Sequence, residues 1–351
     1  MKIVVTGALG HIGSRFIREI PKHFRDAEVV LIDNLMTQRY SALFGLPIEA
    51  RYHFVEADIL KAPLEELFRD ASAVVHLAAV TDAANSFNNP EQVEATNLVG
   101  TERVATACAA VNVPLIFLST TSVYGSQAEV VDESCTELKP QSPYAESKLK
   151  SELMLREMGR SQGLRFVTLR FGTIFGASAG MRFHTAVNKF IWQACLGQPI
   201  TVWRTAYDQR RPYLDLGDAV RALCFVIERK VFDQATYNVL TLNATVGEIV
   251  DIIRAQVADL RVDYVDTKIM NQLSYTVLCE RFQQLGFTFS GSIQQGVFES
   301  VGLLFQLRGA VRESFEARFA VEELRRISSP QWSASSDRAD APEAPRSVQR
   351  E

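Results

Sequence analysis

Lys2-Ile3-Val4-Val5-Thr6-Gly7-Ala8-Leu9-Gly10-His11-Ile12-Gly13 opens the chain with a β-branched run, breaks into three glycines and enters a helical pattern. Strand, tight turn and helix in that order form a loop that holds a diphosphate against a helix N-terminus. Gly7 permits the turn, Gly10 lets backbone N–H groups approach the phosphates, and Gly13 lets helix and strand pack closely. His11 and Ile12 are counted with them as cofactor contacts. The second β-rich run, Val29 to Ile32, ends at Asp33, roughly 20 residues beyond Gly13. A carboxylate there accepts the ribose hydroxyls of NAD and repels the 2′-phosphate of NADP, so NAD is the expected cofactor, with Asn34 beside it. Arg39 is read as a solvated loop residue.

Further along, short β-rich runs alternate with helical patterns: Tyr52 to Val55, Ala73 to His76, Leu115 to Ser119 and Phe166 to Arg170 as strands, Glu91 to Val111 and Tyr144 to Ser161 as long helices. The alternation predicts an α/β fold, a doubly wound parallel Rossmann sheet, over residues 1–170. After Arg170 the rhythm loosens into candidate helices at Thr185 to Leu196, Leu216 to Glu228 and Val246 to Gln256, a smaller substrate-binding lobe over about 171–315. Elements near 213–241 return to the main domain, Tyr237-Asn238-Val239-Leu240 as a strand. Residues 328–351 are rich in Ser, Asp, Ala, Pro and Arg and are predicted to be disordered.

The chain has 351 residues, 47% of them hydrophobic, and a formal net charge of −4. That suffices for a substantial core and offers no field to draw a polyanion, which excludes nucleic acid as a partner. No segment approaches the ~18 uninterrupted apolar residues of a membrane helix, and the N-terminal segment lacks a signal-peptide pattern, so a cytoplasmic protein with no membrane role is expected. Cys108, Cys135, Cys195, Cys224 and Cys279 are scattered without C-x-x-C spacing. No disulfide framework and no metal site are expected.

Tyr144-Ala145-Glu146-Ser147-Lys148 places a phenol and an ammonium on one helix face. A tyrosine acting as a base at neutral pH must be brought from about 10 toward 7, which nearby positive charge can do. Upstream, Ser119-Thr120-Thr121-Ser122-Val123-Tyr124-Gly125 delivers hydroxyls at the carboxyl end of the sheet, where ligands bind in such folds.

With Asp58-Ile59, His76-Leu77-Ala78-Ala79, Asn97-Leu98-Val99-Gly100-Thr101 and Tyr237-Asn238-Val239, these motifs make the chain resemble the extended short-chain dehydrogenase/reductase family, the NAD-dependent NDP-sugar epimerases and dehydratases. The resemblance covers about residues 1–310. It implies Thr120, Tyr144 and Lys148 as the catalytic set: Thr120 bonds the reacting sugar hydroxyl, Tyr144 is the base, and Lys148 both tunes Tyr144 and holds the nicotinamide ribose. It further implies Asp58 and Ile59 as adenine contacts, Leu77, Ala78 and Ala79 as a wall beside the cofactor, and Asn97 as part of the cofactor site. His76 is read as structural. Gln209-Arg210-Arg211-Pro212-Tyr213 resembles the segment whose arginine, here Arg211, forks onto the substrate diphosphate. Thr121, Thr173 and Asn188 complete the expected substrate contacts, although Thr173 stands where an Asn is usual and Pro212 where an Asp is usual. A second arginine expected around Gln272 to Tyr275 is not evident.

Within the family the reaction depends on the residues beside the catalytic Thr. Dehydratases keep carboxylates there to protonate the leaving hydroxyl and remove a ring proton. This chain has Thr121-Ser122, which favours an epimerase that inverts C4 through a transient ketone. A dehydratase or decarboxylase is the rival, and a dinucleotide-binding protein without catalysis would be expected to lose Tyr144 or Lys148. A homodimer is expected, with Val104, Ala107, Cys108 and Val111 as an apolar stripe for a two-fold four-helix bundle.

Overall fold

The computed structural model describes residues 1–125, 130–266 and 274–304; the predicted tail, 328–351, lies outside the described residues. Seven strands form the central sheet: β1 (Lys2–Thr6), β2 (Glu28–Asp33), β3 (Arg51–Glu56), β4 (Ala73–His76), β5 (Leu115–Thr120), β6 (Phe166–Phe171) and β7 (Thr236–Val239). They lie in the order β7-β6-β5-β4-β1-β2-β3, and every pair is parallel. β5 and β6 are buried along their whole length, as expected of parallel strands covered on both faces. The strand order reverses between β1 and β4, so the crevice at their carboxyl ends is the natural ligand site.

Two helical layers cover the sheet. α1 (His11–His23) and α5 (Leu216–Arg229) bury Phe16, Ile17, Ile20, Val220 and Leu223 on one face. α2 (Gly100–Ala110) and α3 (Pro143–Gln162) bury Val104, Cys108, Leu155 and Met158 on the other. Val104, Ala107 and Cys108 thus face their own sheet, with Val111 packed against the same core. The stripe expected at a dimer interface is already used inside the domain. A helix reading alone could not tell which partner the stripe covers.

α3 starts where Ser142 accepts the Ala145 N–H at 3.2 Å, with Pro143 in its first turn, and ends at Gly163 with φ 70°. Ahead of α2, residues Ala95–Val99 wind as a π-turn between the short helix Pro90–Glu94 and Gly100. Such turns often occur at functional positions. The lobe has its own three-stranded sheet, Thr173–Phe175, Arg210–Asp215 and Leu242–Thr245. Its core joins α4 (Ala186–Cys195), α6 (Val246–Arg254) and α7 (Ile293–Leu304) through Phe175, Ile191, Ile249 and Val297.

One buried ion pair fastens α3 to the sheet. Glu152 receives both arms of Arg170, at 2.9 and 2.6 Å, and the Ser119 hydroxyl at 2.5 Å; carboxylate and guanidinium are almost fully buried. Removing one member strands the other's charge in the interior. Glu152→Ala is expected to cost about 3–5 kcal/mol of stability, measured by urea unfolding; a loss below about 1 kcal/mol would mean the pair is dispensable.

Candidate active site

The turn after β1 is built so that no side chain intervenes. Gly7 has φ 67°, and a Cβ on it would lie 2.6 Å from the Ala78 amide nitrogen. No side chain caps the N-terminus of α1, so its first N–H groups are left for a ligand, and the helix dipole makes that ligand an anion. Asp33, at the end of β2, accepts the N–H of Leu9 on one oxygen and of Leu35 on the other, both at 3.0 Å. This fastens the carboxylate to the glycine loop and leaves further lone pairs for ribose hydroxyls.

A cleft runs along this edge. Of the predicted cofactor residues, Gly7, Gly10, Asp33, Asn34, Asp58, Ile59, Leu77, Ala78 and Ala79 line it, together with Ile32, Met36, Thr37, Ala57, Thr96 and Arg182. The donor set suits a dinucleotide: bare N–H groups for the phosphates, a fixed carboxylate for the ribose, and Ile59 with Met36 for a flat base. Gly13 lies against the Gly7 and Ala8 carbonyls, where a Cβ would come within 2.6 Å, and Ile12 packs against the core below. The His11 ring turns away from the cleft and meets the Gly176 carbonyl at 2.9 Å. Burial pushes its pKa down to about 4 despite that bond, and Arg182 and Arg39 push the same way.

Asn97 sits in the π-turn, fully buried. Its amide accepts the Val80 N–H at 2.8 Å and donates to the Val80 carbonyl at 2.9 Å and to Ser147 at 3.1 Å. It ties the cofactor wall to α3. His76 is likewise buried, between Thr6 at 2.7 Å and Thr101 at 3.0 Å. Thr101 donates to the Asn97 carbonyl at 2.5 Å, so His76 donates from Nε2 and accepts at Nδ1. Burial holds its pKa near 3, and the ring serves as a neutral strut.

The three predicted catalytic residues converge where β5 meets α3. Thr120 ends β5, caps the turn that follows by accepting the Ser122 N–H at 3.1 Å, and shares a hydrogen bond with the Tyr144 phenol. Burial raises the pKa of Tyr144, while the Thr120 bond and the charge of Arg182 lower it. Lys148, one turn on, donates to the Leu118 carbonyl at 2.8 Å and lies over the Phe117 ring.

On the lobe side the predicted residues divide. Thr173 pairs with Tyr213 in the small sheet, while Arg211, earlier on the same strand as Tyr213, pairs with Ala244. Arg211 contacts Gln209 and lies within electrostatic reach of Tyr275, whose hydroxyl donates to the Thr121 carbonyl at 2.9 Å. The Thr121 hydroxyl meets the Phe171 carbonyl at 3.4 Å. Asn188 is fully buried, with its amide accepting the Gly176 N–H and donating to the Arg182 carbonyl. It holds a backbone segment, and its side chain has no exposed surface to offer a substrate. Arg182, Thr96, Tyr275 and Glu152 were not singled out from the sequence. Thr96 adjoins Asn97 and could have been found; Arg182 reaches the cleft from an irregular segment with no motif.

Residues 3–239 match the NAD dependent epimerase/dehydratase family. The chain belongs to this family. It is 30% identical over 248 residues to an uncharacterized UDP-glucose epimerase YtcB of Bacillus subtilis, covering 68% of this chain and 76% of that one. It is 32% identical over 195 residues to a dTDP-glucose 4,6-dehydratase of Mycolicibacterium smegmatis, covering 54% of this chain and 57% of the relative. Apart from the Bacillus relative, the chain spans about half the length of the curated relatives it matches. Among solved structures, the UDP-glucose 4-epimerase of Thermus thermophilus in complex with NAD superimposes with a TM-score of 0.74 at 25% identity, covering 88% of this chain and all of that one. The glycine loop, the Asp33 carboxylate and the Tyr144–Lys148 helix all lie within the matched residues and form the candidate site of this family member.

Burial lowers the Lys148 ammonium from 10.5 to about 8, against the opposing pull of Glu152. Between roughly pH 8 and pH 10.5 the unfolded chain holds the extra proton, so the stability associated with Lys148 rises with pH across that window. Wild type is expected to gain stability relative to Lys148→Met between about pH 8 and pH 10, read by parallel urea unfolding of the two proteins. Identical pH dependence would show that Lys148 titrates as an ordinary lysine.

Proposed function

We propose that the protein is a nucleotide-sugar 4-epimerase that inverts a sugar carbon through a transient ketone. The observation that carries this reading is the Thr120-Thr121-Ser122 turn: the strand end that meets Tyr144 presents hydroxyls where a dehydratase needs a carboxylic acid. The names of relatives on both sides, epimerase and dehydratase, leave that local chemistry as the deciding feature.

In this reading Thr120 holds the oxygen of the reacting sugar hydroxyl and Tyr144 removes its proton. NAD, when bound, supplies the acceptor for the carbon-bound hydrogen, a positive ring charge that favours the phenolate, and the donor for the return transfer. Lys148, anchored on the Leu118 carbonyl, adds positive charge beneath the phenol and an ammonium for the nicotinamide ribose. Arg211 binds the substrate diphosphate, Tyr275 and Thr121 line the approach, and Thr173 completes that side. The ketone turns over within the crevice before the hydrogen returns to its other face. Asp33 directs the choice of NAD over NADP.

A homodimer fits the same reading, through a face different from the stripe inferred from sequence. The short helix Pro90–Glu94 packs against α3, bridged by the Lys150–Glu94 ion pair at 3.0 Å, and the outward residues Val99 and Leu153 are exposed apolar side chains on adjoining elements. Light scattering at micromolar concentration is expected to give twice the chain mass, and a monomer would reject the dimer. No helix among the described residues is long and apolar enough to cross a membrane. The cytoplasmic setting we propose rests on the sequence, whose five cysteines are scattered without C-x-x-C spacing.

Turnover of UDP-sugars, then of other nucleotide sugars, in D2O tests the chemistry. A pure epimerase returns the same hydrogen, so the product should have unchanged mass and no deuterium on the ring. Dehydration, decarboxylation or C3/C5 epimerisation each passes through an enol or carbanion and imports deuterium or loses mass; either result overturns the 4-epimerase reading. In the same assay Tyr144→Phe is expected to fall at least ~100-fold, the usual contribution of a positioned acid–base group.

A further inference from the structure

We infer that the lobe segment Gly176–Arg182 is the second half of the cofactor diphosphate site and that Arg182 is its cation, reaching over the glycine loop from the opposite domain. The inference rests on the NAD-binding reading above and assigns a residue outside its motifs.

The segment is fastened to the first turn of α1 at three points. His11 donates to the Gly176 carbonyl at 2.9 Å, Ser178 donates to the His11 carbonyl at 2.9 Å, and the Gly180 N–H donates to Ser14 at 2.8 Å. From the lobe side, Asn188 accepts the Gly176 N–H at 3.2 Å and donates to the Arg182 carbonyl at 3.1 Å. Between these anchors the backbone lies directly on the loop: a Cβ on Gly180 would sit 2.4 Å from the Leu9 carbonyl oxygen and 2.5 Å from that of Gly10. The strap is thus held in place before any ligand arrives.

It delivers Arg182 into the cleft lined by Gly7, Gly10 and Asp33, where the guanidinium bonds the Thr81 hydroxyl. Arg39 lies within electrostatic reach of Asp33, half-buried, with one buried nitrogen, Nη1, lacking a hydrogen-bond partner among the described residues. Arg39 is therefore not the solvated residue expected from the sequence. The two guanidinium groups lie within electrostatic reach of each other; Asp33 acts on both, and Asp82 acts on Arg182 more strongly than Asp33 does. Two guanidinium charges against two carboxylates leave this group near neutral, so a diphosphate, with about two negative charges, is held by directed donors, the guanidinium fork and the first N–H groups of α1, rather than by a surplus of charge. The helix N-terminus offers roughly half a charge, too little to hold that ligand alone. Arg182 adds a planar fork of donors.

Calorimetry of the full chain, freed of cofactor, with NAD, ADP and adenosine separates this role from others. A charge-assisted bond contributes about 1.5–3 kcal/mol, so Arg182→Ala should weaken NAD and ADP by roughly 10- to 150-fold and leave adenosine within about twofold. Arg182→Lys should recover part of the loss. If Arg182→Ala does not fold, Arg182→Met, which keeps the aliphatic stem, is judged by the same criterion. NAD affinity within about twofold of wild type overturns the inference, and so does an equal loss toward adenosine, which would mean a distorted cleft. Wild-type protein that binds ADP and NAD no better than adenosine would instead overturn the cofactor reading itself.

Discussion

The uncapped first turn of α1 is the constraint around which the molecule is arranged. Its N–H groups face the carboxyl edge of the sheet with no side chain to satisfy them, a costly arrangement unless an anion is part of the design. Everything near it keeps that position clear. Gly7 admits the Ala78 backbone, Gly180 admits the lobe, and Asp33 grips the loop through Leu9. The buried His76 bridges Thr6 at the end of β1 to Thr101 on α2, so the loop's base is braced against the helical layer as well as the neighbouring strands.

Much of this was legible because local sequence and global role coincide. A β-branched run followed by spaced glycines can do little else, and Tyr144 and Lys148 lie one turn apart on a helix whose Ser142 cap and Gly163 stop are both local signals. Asp33 is recognisable by its distance from the glycines. What escaped was settled by contacts across long stretches of chain. Asn188 looked like a substrate ligand, yet its amide is occupied by Gly176 and Arg182, and only the course of the lobe backbone reveals that. The Val104, Ala107 and Cys108 stripe was visible as a stripe, but amphipathicity does not say whether the cover is one's own sheet or another subunit. Arg182 had no signature, since its meaning comes from residues some 170 positions earlier.

The catalytic corner and the folding core are also less separate than a list of site residues suggests. Ser119 and Thr120 are successive residues of β5: one hydroxyl is bound into the Glu152–Arg170 pair and the other faces Tyr144. Glu152 is one turn beyond Lys148 on α3, and its charge acts on that ammonium. Arg170 also lies over the Tyr124 ring, whose hydroxyl donates to Asn238 on the edge strand β7 at 2.8 Å. The buried Glu152–Arg170 pair thus joins the helix that carries Tyr144 and Lys148 to the strands that carry Ser119 and Arg170.

The π-turn at Ala95–Val99 has a consequence for how this helix can change over evolutionary time. A regular α-helix advances about 100° per residue, and the wider turn advances less, so it takes up one extra residue without turning the face that follows. With the turn in place, Asn97 reaches Val80 and Ser147 while Val104 and Cys108, a few residues later, still point into the sheet. Deleting one residue here would leave Val104 and Cys108 facing the core but draw Asn97 away from Val80 and Ser147. The length of the segment between Pro90 and Ala110 is thus set by the reach of Asn97 to Val80 and Ser147 and not by the packing of the helix that follows.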